Sequence, residues 1–113
     1  MIYEIRDYHY LPEKLDAYKK WGEEAVPVLK EILDVVGFYV DSGADPEVSG
    51  SAPERPSIGY ANITWIIRWE SKAMREEKFA ATMGSPAWQE IWAKHPCADG
   101  YLHMNARFMR ASG

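Results

Sequence analysis

Charged and hydrogen-bonding side chains recur at steps of two or four residues in three short segments of this sequence. They are Glu4, Arg6 and Tyr8 near the start, Asn62, Thr64 and Arg68 in the middle, and His103, Asn105 and Arg107 near the end. A spacing of two places alternate side chains on one face of a β-strand, so each triplet forms a polar row. Tyr39 and Asp41 make a fourth, shorter row. Pooled on one face, these groups suit acid–base chemistry on a small anion. Imidazole titrates near neutral pH, which makes His103 the candidate catalytic base, oriented by Asp41 or Asn105. Arg6, Arg68 and Arg107 would stabilise negative charge developing on a carboxylate or enolate. Glu4, Tyr8, Tyr39, Asp41, Asn62, Thr64, Asn105 and Arg107 are the expected substrate-binding set. The same residues are equally consistent with an ion-pair network that knits strands and subunits together, since enclosed charges must find partners.

Other chemistries lack their residues. There is no Gly-rich phosphate loop, no Gly-x-Ser-x-Gly elbow and no His-Glu-x-x-His helix, and nucleotide-dependent, serine-hydrolase and zincin activities are set aside. His95, Cys97 and Asp99 are ligand types without a second cluster to complete a metal site, so neither a metal nor a cofactor is predicted. The formal charge of −4 offers no basic footprint for nucleic acid or anionic lipid. One cysteine cannot form an internal disulfide, no apolar run approaches the length of a membrane span, and MIYEIRDYHY has no basic head followed by an apolar stretch. A soluble cytoplasmic protein is the expectation.

The elements that position these rows follow from periodicity. Residues 2–10, 35–42, 60–70 and 101–110 alternate and carry β-formers. Pro12 opens a long amphipathic helix to about residue 33, with Tyr18, Ala25 and Leu29 in its apolar stripe and a kink expected at Pro27. Ser71 caps a helix that ends at Gly84, with Met74, Phe79 and Met83 as expected buried positions; Ser85-Pro86 starts a further helical piece carrying Trp88, Ile91 and Trp92. Residues 44–58 hold Pro46, Pro53, Pro56 and Gly50 and read as a long loop. The 113 residues make one domain of β-α-β, loop, β-α-β order, hence an α+β, ferredoxin-like four-stranded antiparallel sheet with its helices on one face. Ile5, Phe38, Ile63, Ile67, Met104 and Phe108 are expected under the helices, and the polar rows, with Ile66, on the other face. Covering that face with a second copy would give a homodimeric barrel enclosing a cavity. An aromatic content of 13% suits such an interface or cavity.

The segments IYEIRDYHYLPEKLDAYKKWGEEAVPVLK, VGFYV, ITWIIRWES and GSPAWQEIWA resemble the NIPSNAP domain of the dimeric α/β-barrel superfamily over nearly the whole chain. The resemblance implies the same fold. It also implies a range of activities that includes cofactor-free monooxygenases, haem-degrading oxygenases, cyclases and isomerases. The 44–58 loop departs from the usual pattern. Two functional readings follow: a cofactor-independent enzyme working by proton transfer or oxygen insertion on an enolisable or aromatic substrate, and a non-catalytic ligand-binding or scaffolding dimer.

Overall fold

A computed structural model describes all 113 residues. The chain runs β1 (Ile2–Tyr10), a 3₁₀ turn (Pro12–Lys14), α1 (Leu15–Ile32), β2 (Val35–Val40), β3 (Ile63–Trp69), α2 (Lys72–Met83), α3 (Pro86–Trp92) and β4 (Tyr101–Met109). Every neighbouring pair in the sheet is antiparallel, in the order β2-β3-β1-β4. This is the expected ferredoxin-like α+β arrangement, with slightly shorter strands. The alternating apolar strand ITWIIRW sits inside the sheet, and residues 44–58 are exposed throughout.

Local chemistry sets the helix limits. The Ser71 hydroxyl accepts from the Met74 amide and the Ser85 hydroxyl from the Trp88 amide, satisfying a first-turn donor in each helix. Pro27 lies within α1 but on its exposed side, where water can solvate the carbonyl that loses its amide partner. The inward face of α1 carries Tyr18, Trp21, Ala25 and Leu29. That of α2 carries Arg75, Phe79, Thr82 and Met83, and Met74, expected to be buried, is 47% exposed. Residue 75 is the one in phase with 79, 82 and 83 at helical spacing.

All three helices pack on one face of the sheet. The molecule is only 19 Å thin in its shortest dimension, which is the depth of one sheet plus one helix layer. Thirteen hydrophobic side chains are buried between the layers, among them Tyr8, Tyr10, Tyr18, Trp21, Trp65, Trp69 and Trp88.

The sequence expectation about β1 is corrected here. Glu4, Arg6, Tyr8 and Tyr10 point under the helices, together with Ile63, Trp65, Ile67 and Trp69, while Ile5 pairs with Ile66 and Arg107 on the open face. Neither face of β1 is uniformly apolar, and burial of the two large phenol rings at 8 and 10 decides which one turns inward.

At the end of β1, Tyr10 packs against the backbone that leads into β4. A Cβ on Gly100 would meet the Tyr10 ring at 2.9 Å and the Cys97 carbonyl at 3.2 Å, and Tyr10 is only 1% exposed. Gly100→Ala is expected to lower unfolding stability by about 1–3 kcal/mol, measured by urea denaturation with an unchanged m-value.

Candidate active site: an aromatic cavity under the helices

A cavity of about 360 Å³ opens between the sheet and the helices. Its floor is Arg6 and Tyr8 of β1, Trp65 of β3 and Met104 of β4. Its roof is Tyr18, Trp21, Gly22 and Leu29 of α1, Phe79 and Met83 of α2, and Trp88 and Trp92 of α3. The space exists partly because residue 22 has no side chain: a Cβ there would meet nothing within 4 Å. A glycine inside a helix costs about 0.5–1 kcal/mol relative to alanine, and here it leaves volume that a larger residue would fill.

The polar floor is built on a buried carboxylate. Glu4 is fully buried and accepts four hydrogen bonds: from Arg6 Nη1 (2.7 Å), Arg75 Nε (2.9 Å), Arg75 Nη2 (3.0 Å) and Trp69 Nε1 (3.0 Å). Burial alone would raise its pKa, but the bonds from Arg75 and Arg6 outweigh this and hold the carboxyl below the usual carboxylate value. Arg6 also donates from Nε to the Tyr8 hydroxyl at 2.8 Å, and Trp65 Nε1 donates to the same oxygen at 2.8 Å. The guanidinium lies within 6 Å of the Tyr8, Trp65 and Phe79 rings, so its charge is wrapped in π faces rather than in water.

A second polar group stands behind Tyr101, outside the cavity lining. His95 sits among Tyr10, Tyr18, Trp21, Trp92 and Tyr101, with ring centroids 4.4–6.0 Å away. Its Nδ1 accepts the Cys97 amide at 3.0 Å, which leaves the proton on Nε2, 2.8 Å from the Tyr101 hydroxyl. Burial lowers the His95 pKa. Burial likewise pushes the Tyr18 and Tyr101 phenols well up, and Tyr10 up to about 12, with the neighbouring Cys97 thiol adding to the effect. These hydroxyls stay protonated at neutral pH and act as hydrogen-bonding groups, not bases.

The residues singled out from the sequence fall into two groups on opposite sides of the sheet. Glu4, Arg6 and Tyr8 belong to the cavity region. Tyr39, Thr64, Arg68, His103, Asn105 and Arg107 belong to the open face. There Asp7 bridges Thr64 Oγ1 (2.6 Å) and Arg107 Nη2 (3.0 Å), His103 packs edge-on against His9, and Arg68 pairs with Asp34 at 2.7 Å. The expected single site joining His103 to Arg6 does not form, because the strand lies between them. Asn62 uses its amide to bond both the N–H and the C=O of Tyr10, extending the ladder between β1 and β3. Asp41 is exposed beyond the end of β2. Arg75, Gly22, His95 and Tyr101 were not among the expected site residues. Arg75 is recognisable only through its helical phase with Phe79 and Thr82, and His95 had offered nothing beyond its ligand type.

No protein-family model matches the sequence, and no curated protein matches it. Solved structures do. A NIPSNAP family protein from Agrobacterium tumefaciens superposes with a TM-score of 0.70 at 24% identity, over 99% of this chain and 88% of that one. A NIPSNAP domain protein from Burkholderia xenovorans gives 0.71 at 12% identity, over 99% and 95%. The chain has the NIPSNAP fold. An antibiotic biosynthesis monooxygenase is similar with a lower TM-score, 0.56, at 13% identity over the whole of both chains. The ferredoxin-like architecture is thus shared with structures of both kinds.

Because His95 titrates lower in the folded chain than its ordinary value of 6.5, the unfolded state binds the extra proton first as pH falls. The stability this group contributes is present above about pH 6.5 and is lost progressively below it. Thermal melts of the wild type between pH 7.5 and 5 are expected to show a falling midpoint, and His95→Gln to flatten that slope.

Proposed function

We propose that this chain is a NIPSNAP family member that binds a small, largely aromatic molecule beneath its helices and acts on it without a cofactor, by proton transfer or oxygen insertion. The observation that supports this reading is the cavity: its volume of about 360 Å³ falls within the range of small-molecule sites, and half of its lining residues are aromatic, around one guanidinium and three phenols. In such a site Arg6 and the Tyr8 hydroxyl would stabilise charge developing on a carbonyl oxygen as the substrate ionises to an enolate or phenolate. Tyr101, held by His95, would bind a second oxygen. In this reading His103 does not serve as the base, since it lies across the sheet from the cavity.

The rival reading, ligand binding without turnover, is favoured by one specific feature: no aspartate, glutamate or histidine lines the cavity. A substrate would have to be acidic enough to lose its proton to water or be bound already ionised.

The protein would work as a homodimer in the cytoplasm. Supporting the dimer, the open sheet face is uncovered in a molecule 19 Å thin, and Tyr39 and Met109 on it are about half exposed. Two copies joined through these faces would enclose Asp7, His103, Asn105 and Arg107 in an ion-pair seal, the structural role considered for them from sequence.

Gly22→Leu is expected to plug the cavity while helix propensity rises by roughly 0.5–1 kcal/mol. The melting temperature should hold or increase, and quenching of tryptophan fluorescence by a naphthalene-sized probe should disappear. Unaltered probe binding would refute the cavity as the ligand site. For the dimer, sedimentation velocity should give twice the chain mass for wild type and a monomer for Ile5→Arg, which places a charge at the centre of the open face. A monomeric wild type would defeat this part of the proposal.

A further inference from the structure

We infer that the cavity selects a ligand carrying a single negative charge, and that Arg75, which does not line it, sets this preference by neutralising Glu4 so that the charge of Arg6 remains available. The inference rests on the cavity being the ligand site.

Arg75 engages Glu4 with two donors, Nε to one oxygen and Nη2 to the other, the forked geometry that makes arginine–carboxylate pairs strong. Arg6 reaches the same carboxylate with one donor, Nη1. Beyond them Glu76 pairs with Arg75 Nη1 and with Lys72. Three cations, Arg6, Arg75 and Lys72, thus face two carboxylates, Glu4 and Glu76, and one positive charge is left over.

That charge is directed at the cavity. Arg6 is the member of the cluster that lines it. Its Nη2 makes no hydrogen bond within the protein, and it is not a sealed atom, since the one buried side-chain polar atom lacking a partner is His9 Nδ1. The Tyr8 oxygen already accepts from Arg6 and Trp65, so both its lone-pair directions are occupied and its own proton is left to donate. Arg6 and Tyr8 together present N–H and O–H donors with no protein acceptor, beside the rings of Trp65 and Phe79, which limit screening by water. One oxyanion satisfies this arrangement. A cation would meet only positive charge, and a second anionic group would find no uncompensated partner.

The test compares two isosteric probes, 2-naphthoate and 2-naphthamide, by tryptophan quenching at pH 7.5. Wild type should bind the naphthoate at least about tenfold more tightly, and Arg75→Met, in which Glu4 neutralises Arg6, should lose about that tenfold for the naphthoate alone. The double variant Glu4→Gln, Arg75→Met leaves Arg6 again without a counter-charge and should recover the preference, which a loss caused by faulty packing would not. Equal binding of both probes to wild type, an unchanged preference in Arg75→Met, or no recovery in the double variant would overturn the inference while leaving the cavity as the ligand site. If neither probe binds, the cavity reading falls and this inference falls with it.

Discussion

A carboxylate taken out of water must be matched by positive charge and hydrogen bonds, or it protonates or drives the chain open. Glu4 meets this constraint with two arginines and an indole N–H drawn from β1, α2 and β3. The clamp does three things at once. It reinforces the facing of β1 that burial of Tyr8 and Tyr10 favours, brings α2 down onto the sheet through Arg75, and holds Arg6 against the cavity. Arg75 is half-buried because its guanidinium must reach Glu4 from the inward face of α2.

The cavity follows from how the helix layer is filled. Large rings supply much of the contact area: Trp21, Trp88 and Trp92 lie within 5.9–6.1 Å of one another, and His95 packs against Trp21 and Trp92. Rigid rings cannot collapse into every gap as flexible aliphatic chains do, and Gly22 removes a side chain where the roof passes over Arg6 and Tyr8. The volume that results has hydrophobic walls and concentrated polarity at two places, the Arg6–Tyr8 floor and the Tyr101 phenol. A planar molecule with oxygen substituents complements that distribution.

The two faces of the sheet serve different ends. On the helix side, polarity is organised around an ionised Glu4 and a cavity. On the open side, Asp7 ties Thr64 to Arg107 across three strands, and His9 and His103 pack together at the strand ends. Polar rows of similar composition thus form a binding floor on one side and cross-strand fastening on the other. The difference lies in what covers each row.

Element order, strand alternation, helix starts at Ser71 and Ser85 and the long 44–58 loop were all legible in the sequence, because each depends on a local property: periodicity, a capping hydroxyl, proline and glycine in turns. The sheet order followed from that element order, since two β-α-β halves with short links have few ways to pair. Which face of β1 turns inward was not legible. Its two faces, Glu4-Arg6-Tyr8 and Tyr3-Ile5-Asp7, are almost equally polar, so the choice rests on partners 57 to 71 residues away, Trp65, Trp69 and Arg75. For the same reason His103 looked central in sequence and lies across the sheet from the cavity, while His95, in an unremarkable His-Pro pair, proves to be set among five aromatic rings. Local alternation determines that a strand has two sides; only the assembled charges and rings, drawn from distant segments, decide which side is enclosed.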